Sequence, residues 1–240
     1  MIWAVVPVKT LAQAKTRLAG VLTPAERATL CQVMLADVLH ALRGAASLDH
    51  VLVVTADTFL AEQARAQGAD VLAEASLGQQ RPAGQNVALE AAAAFCRDQG
   101  ARALLVVSAD VPLLCSETVE ALICQGMRGH GGKGERGERG EKEDFRVVLA
   151  PSSEGTGTNA LFQRPPGAIP FLFGPDSLQH HQRAAREHGV PVDLFHSSGL
   201  ALDIDTPADL CALLRLPTRT HTQRALHEMG ILQRLAKTSA

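Results

Sequence analysis

The sequence predicts an α/β fold: a mainly parallel central sheet with helices on both faces. Two observations carry that expectation. Short apolar runs alternate with longer helical segments along the chain, the pattern of β–α–β units. The core vocabulary is aliphatic: hydrophobic residues make up 46% of 240 residues but aromatics only 3%, with one Trp and no Tyr. Ala, Val and Leu must therefore build the core, and base-stacking nucleic-acid platforms are disfavoured.

The elements follow in order. Ile2–Val8 is a continuous apolar run and reads as a buried strand. Thr23-Pro24-Ala25-Glu26 is a helix start, with Thr as cap, Pro in the first turn and Glu reaching back. That helix continues through Leu30, Met34, Val38 and Leu42. Val51–Thr55 is a second strand, 58–67 a helix stopped by Gly68, and Asp70–Ala73 a short strand. An Ala-rich helix spans 86–98 and ends before Gly100. Ala103–Ser108 is the clearest core strand, and Ser116 opens a helix to about Gln125.

Residues 129–144 break the pattern with Gly-Glu-Arg, Gly-Glu-Arg and Gly-Glu-Lys in succession, which predicts a flexible surface insertion. Strands are expected at 146–150 and 159–163, a helix at 176–188, extended chain at 192–196 and a last strand at 200–205. Thr206-Pro207-Ala208-Asp209 repeats the helix-start signature. The expected organisation is one domain over residues 1–216, followed by a polar tail over 217–240 with one helix near 223–235.

Charge narrows the function. Twenty-three Lys and Arg against 25 Asp and Glu leave a formal −2, without the basic excess of a duplex-binding protein, so no nucleic-acid partner is expected. Five widely spaced cysteines and no C-x-x-C argue against a disulfide framework and for a reducing compartment. No apolar run is long enough to span a bilayer, so no membrane partner and a cytoplasmic location are expected.

In parallel sheets, ligands bind beyond the carboxyl ends of the strands. Three acids stand at such ends. Asp110 follows the core strand, and Asp203 and Asp205 close A-L-D-I-D, where strand alternation would put both on one side. Three carboxylates so placed suit a hard cation such as Mg²⁺, although each could serve only as a turn cap. Lys9, Lys15 and Arg17 follow the first strand and could neutralise a triphosphate. Neither G-x-x-x-x-G-K-S/T nor a strand-following G-x-G-x-x-G is present, which argues against P-loop and dinucleotide enzymes. Gly155-Thr156-Gly157-Thr158-Asn159 offers N–H groups and hydroxyls, and Phe173-Gly174-Pro175-Asp176-Ser177 opens a helix that could face an anion. His180 and His181 on that helix could approach a ligand, although a helix histidine is more often just partly exposed.

Six segments in this order form a recognisable set: Pro7-Val8-Lys9 with Ala14-Lys15-x-Arg17-Leu18, Gly84-x-Asn86, Ala109-Asp110-x-Pro112-Leu113-Leu114, Gly157-Thr158-Asn159, Phe173-Gly174-Pro175-x-Ser177, and Leu202-Asp203-Ile204-Asp205-Thr206-Pro207. The set resembles the 2-phospho-L-lactate or phosphoenolpyruvate guanylyltransferases of coenzyme F-420 biosynthesis. The resemblance implies a nucleotidyltransferase fold of the nucleotide-diphospho-sugar transferase type. It also implies transfer of GMP from GTP to the phosphate of a small acid: phosphoenolpyruvate, 2-phospho-L-lactate or 3-phospho-D-glycerate. By position, it assigns Mg²⁺ to Asp110, Asp203 and Asp205, and the acid to Thr158, Gly174 and Ser177. The nucleotide falls to Lys9, Lys15, Arg17, Gly84 and Asn86, with Lys15, Arg17 and Asp110 as the catalytic group. The next enzyme of the pathway is the expected protein partner. Two positions depart from the family pattern: Gln85 for the usual Leu, and Asp176 for the usual Gly. A related glycosyltransferase, a haloacid-dehalogenase-type phosphatase suggested by L-D-I-D-T, and a non-catalytic nucleotide-binding domain are the rival readings.

Overall fold

The structure is a computed structural model and describes residues 1–73, 84–128 and 145–238. The insertion expected at 129–144 lies outside the described residues. Strands β1 (Ile2–Val8), β2 (His50–Thr55), β3 (Asp70–Ala73), β4 (Ala103–Val107), β5 (Arg146–Pro151), β6 (Thr158–Arg164) and β7 (Val192–Leu194) form one sheet in the order β3-β2-β1-β4-β6-β5-β7. β1 pairs in parallel with β2 and β4, β2 with β3, and β5 with β7, while β6 runs antiparallel to β4 and β5.

Helices α1 (Pro24–Gly44), α2 (Thr58–Ala66) and α4 (Ser116–Met127) cover one face of the sheet. α3 (Gln85–Asp98) and α5 (Ser177–His188) cover the other. β1 and β4 are buried on both faces, which is why they read as unbroken apolar runs. Packing on the first face is close enough to require glycine at 126: a Cβ there would lie 2.3 Å from the Phe162 ring.

The sequence reading and the structure part at the C-terminal end. The strand expected over 200–205 does not form. Ser198–Ala201 is a short helix, α6, and residues 202–205 run without regular structure into α7 (Pro207–Leu214). The alternation of L-D-I-D therefore does not reflect strand pairing. Ile204 is buried by packing instead, and its N–H donates to the Asp110 carbonyl at 3.0 Å. The tail is helical, as α8 (His221–Glu228) and α9 (Ile231–Thr238), broken at Gly230 with φ +68°. It is not set apart from the body. Leu226, Ile231 and Leu235 pack with Leu18, Leu22, Leu30 and Leu210 in a third apolar cluster beside the sheet. Thr220 and Gln223 form a third capping box at the start of α8.

Candidate active site

Strand order changes direction at β1: β2 and β3 lie to one side, β4 and the rest to the other. The chains leaving β1 and β4 therefore diverge and leave a crevice between them, the usual ligand position in open α/β sheets. β6, being antiparallel, brings its first residues rather than its last to the same edge, with Ala160 beside Val107.

The segment after β1 forms two short 3-10 turns, Leu11–Gln13 and Thr16–Leu18. Between them Lys15 takes a left-handed backbone, φ +54°. Three contacts fix the segment. The Leu11 N–H donates to Asp57 Oδ2 at 3.0 Å, and Leu18 and Leu22 sink into the third apolar cluster. Arg234 of α9 bonds Glu26 just beyond, at 2.7 Å. Lys15 is thereby directed inward. Its side chain is only 8% exposed, and Nζ lies 2.6 Å from Asp110 Oδ2 and 2.8 Å from Asp205 Oδ1. Burial opposes a charge here, but Asp110 and Asp205 hold the ammonium above the ordinary lysine range.

Asp205 is placed by the second capping box. Asp209 Oδ2 accepts from the N–H of Asp205 at 3.0 Å and from both the N–H and hydroxyl of Thr206. Burial pushes the Asp205 carboxyl up, but Lys15, then Arg17 and Lys9, more than offset it. Arg17 Nη1 is 4.0 Å from Asp205 Oδ2 on an otherwise exposed side chain. Asp203 stands behind this pair. Asn159 Nδ2 donates to Asp203 Oδ1 at 3.0 Å and to the Leu200 carbonyl at 2.8 Å. Burial first, and then the charges of Asp110 and Asp205, raise the Asp203 carboxyl against the lowering effect of the Asn159 bond. A register shift between Ala150 and Pro151 disturbs the β5–β6 ladder at Asn159, a bulge beside the site.

Together these residues border a cleft of about 350 Å³. Lys9, Lys15, Arg17, Asp110 and Asp205 all line it, joined by Gln85 and Cys31. Asp203 is absent from the lining. Among the described residues no three His, Cys, Asp or Glu side chains form a ready-made metal cage.

The other expected site residues gather around the start of α5. The Leu178 N–H donates to the Thr156 carbonyl at 3.0 Å, tying the 155–159 loop to that helix. Thr158 and Ser177 are both buried, and the Ser177 N–H donates to the Gly174 carbonyl at 3.2 Å. Gly174 has φ +135°, which only glycine adopts readily, and a Cβ there would meet nothing within 4 Å. This group does not line the main cleft, but Asn159 joins the two regions. Gly84 begins α3 without a side-chain cap. Asn86 clasps the 171–174 loop: Oδ1 accepts from the Phe173 N–H at 2.9 Å and Nδ2 donates to the Phe173 carbonyl at 3.0 Å. The structure thus shows Asn86 as a support for the Gly174 loop.

Sequence reasoning left Asn159 and His181 out of the site. Asn159 sits inside the G-T-N segment, so its signal was present, but its partner Asp203 is distant in sequence. The His181 ring is fully buried, with Nδ1 3.2 Å from Thr158 Oγ1 and Nε2 2.9 Å from the Leu172 N.

Comparison with known proteins shows what the chain is similar to. The chain is 42% identical over 212 residues to a phosphoenolpyruvate guanylyltransferase of Rubrobacter xylanophilus, covering 88% of this chain and 93% of that one. It is 34% identical over 226 residues to a 2-phospho-L-lactate guanylyltransferase of Methanothermobacter thermautotrophicus, covering 94% and 90%. It is likewise 34% identical over 235 residues to a 3-phospho-D-glycerate guanylyltransferase of Colwellia psychrerythraea, covering 98% of each. In fold it resembles a candidate nucleotide-diphospho-sugar transferase from Desulfovibrio desulfuricans G20, with TM-score 0.73 at 17% identity over 98% and 97% of the two chains. The family model described as "Guanylyl transferase CofC like" matches residues 2–240, tail included. On this family match and these identities, the chain belongs to the CofC-like guanylyl transferase family.

Proposed function

We propose that this chain moves GMP from GTP onto the phosphate of a three-carbon acid, releasing pyrophosphate, as a step of coenzyme F-420 assembly in the cytoplasm. The acid is phosphoenolpyruvate, 2-phospho-L-lactate or 3-phospho-D-glycerate, the substrates for which the relatives are named. The product passes to the next enzyme of that pathway. The observation that carries the reading is the Lys15 ammonium held between Asp110 and Asp205 in a cleft also lined by Lys9 and Arg17.

An oxygen of the acceptor phosphate forms a bond to the α-phosphorus of GTP as the α–β bridge breaks, and pyrophosphate leaves with the bonding electrons. That oxygen is already anionic near pH 7, so the step needs no general base. The cleft is consistent with this. Lys15 is held protonated, and burial pushes the Cys31 thiol up to about 11, so neither is a ready proton acceptor. The difficulty is repulsion between two anions. Lys15, Arg17 and Lys9 would offset it and stabilise the departing pyrophosphate. Asn159 keeps Asp203 in place and Asp209 keeps Asp205 in place, so the acids do not reorganise during the reaction.

The donor set fits Mg²⁺. Asp110, Asp203 and Asp205 supply hard carboxylate oxygens. Among the described residues, Asp110 Oδ1 takes no side-chain hydrogen bond, Asn159 engages only one oxygen of Asp203, and Asp205 Oδ2 has the distant Arg17 as its side-chain partner. These three residues would hold the ion, which supplies charge neutralisation at the triphosphate.

The test is pyrophosphate release with GTP and each of the three acids in turn, against the other nucleoside triphosphates. Turnover with one acid and GTP is expected. Turnover of a nucleotide-sugar instead, or nucleotide binding without turnover, would overturn the reading.

A further inference from the structure

The buried histidine on α5 has no place in the reaction just described, yet both of its ring nitrogens are engaged. The Leu172 N–H can only donate, so His181 Nε2, 2.9 Å away, must accept. The ring is neutral, because burial and then the His180 charge hold it down to about 4, against a hydrogen bond from the ring to the Ser177 backbone that raises it. A neutral ring that accepts at Nε2 carries its proton at Nδ1. That nitrogen lies 3.2 Å from Thr158 Oγ1. A protonated Nδ1, shared between Thr158 Oγ1 and the Ser177 backbone, cannot accept from the threonine, so the Thr158 hydrogen must point elsewhere.

We propose that His181 is a positioning residue for the acceptor: by donating from Nδ1 to Thr158, it commits the Thr158 hydroxyl to donate its hydrogen to the acceptor's anionic oxygen. This rests on the reading that Thr158 contacts the phosphorylated acid. The His181 ring also packs against Phe173 in a T-shaped arrangement, with centroids 4.9 Å apart at 71°. A single ring therefore orients the hydroxyl on β6 and anchors the loop that leads to Gly174. A hydroxyl able to turn freely would offer the anion a lone pair as readily as a proton. The fixed tautomer removes that choice before substrate arrives.

The tautomer can be read directly in the wild-type protein. Two-bond ¹H–¹⁵N correlation at neutral pH is expected to show His181 protonated at Nδ1, and an Nε2–H ring would overturn the proposal. Kinetics supply the second arm, using whichever of the three acids supports turnover. His181→Gln retains an oxygen near the Nε2 position for Leu172 but loses the donor to Thr158. His181→Asn retains a donor near Nδ1. His181→Gln should raise the acceptor KM about tenfold with the GTP KM within about twofold, the scale of one hydrogen bond to a charged oxygen. His181→Asn should restore most of the loss. Thr158→Val should raise the acceptor KM by a similar factor, and His181→Gln should add little in the Thr158→Val background. Equal rises in both KM values, or additive effects in the double variant, would show a merely structural histidine. An unchanged acceptor KM in Thr158→Val would instead remove Thr158 from the acceptor site, and the reading of that site would fail before the role of His181.

Discussion

Lys15 Nζ lies 2.6 Å from Asp110 Oδ2, joining the loop after β1 to the loop after β4 across the crevice between the two strands. The contact couples the main cation of the cleft to one of its acids, so charge and position are set together. Removing the cation should harm both.

Lys15→Met is expected to lower turnover at least about a hundredfold, the scale of one lost transition-state charge contact. It should also leave Asp110 and Asp205 facing each other without their cation. The Asp205 carboxyl is held low by Lys15, so the stability it gains is present above its unfolded pKa and is lost as pH falls. The stability deficit of the variant should therefore be largest near neutrality and shrink in acid. Urea unfolding at several pH values measures this, and a pH-independent deficit would deny the coupling.

Asn159→Ala removes the amide that donates to Asp203 and to the Leu200 carbonyl. Both acceptors are in buried or half-buried surroundings, so a stability loss of about 1–3 kcal/mol is expected. Turnover should fall with it, because Asp203 loses the side-chain amide that holds it. Asp203→Asn should reduce turnover with much less effect on unfolding. Equal activity in both variants and wild type would exclude Asp203 from the site.

The sheet and its flanking helices were legible because β1 and β4 are buried on both faces and the capping boxes at Thr23 and Thr206 are local signals. The strand reading of Leu200–Asp205 failed because period-two alternation of apolar and acidic residues arises equally from irregular chain that buries Leu202 in part and Ile204 wholly. The tail was underread because Leu226, Ile231 and Leu235 find their partners more than 180 residues away at Leu18 and Leu22. Thr220-x-x-Gln223 announced the start of α8 by the same rule that marked α1 and was passed over. In the site, single charged residues were visible from the sequence, but their couplings were not. Lys15 to Asp205 and Asn159 to Asp203 depend on which strand ends the sheet order brings together.

The C-terminal helices should therefore be needed for more than bulk stability. Ile231 is fully buried against the cluster that holds Leu18 and Leu22. Ile231→Ala is expected to cost about 2–5 kcal/mol. If the loop after β1 loosens with it, the GTP KM should rise more than the acceptor KM at temperatures where the variant remains folded. A loss of stability with unchanged KM values would limit α9 to a packing role.

His181 also predicts a pH dependence of stability. Its pKa falls from about 6.5 unfolded to about 4 in the fold, by burial and then the His180 charge. Above pH 6.5 neither state binds the proton. Between pH 6.5 and 4 the unfolded chain takes it and the fold does not, so stability falls as pH falls across that window. The full loss is on the order of 3 kcal/mol. His181→Gln should lack this part of the slope, which parallel urea titrations of the two proteins would show.

Asp176 offers the most selective test of the acceptor region. It adopts a left-handed backbone, φ +53°, immediately before α5, and its side chain makes no capping bond. That conformation costs a non-glycine residue about 1 kcal/mol, and glycine would relieve it while giving back part of the gain through a freer unfolded chain. Asp176→Gly should therefore change stability by less than about 1 kcal/mol. The carboxylate adjoins Ser177 and Gly174, where the acceptor anion is assigned. A like charge at such an exposed position acts through high dielectric, on the order of 1 kcal/mol at close range, and is screened by salt. Removing it should lower the acceptor KM by about two- to fivefold at low ionic strength, less at high salt, with the GTP KM unchanged. Asp176→Asn removes the charge but keeps a side chain tolerant of the left-handed region, so it should reproduce the salt-dependent gain. If Asp176→Gly lowers the acceptor KM and Asp176→Asn does not, the effect is one of backbone freedom at the start of α5, and the carboxylate does not face the anion.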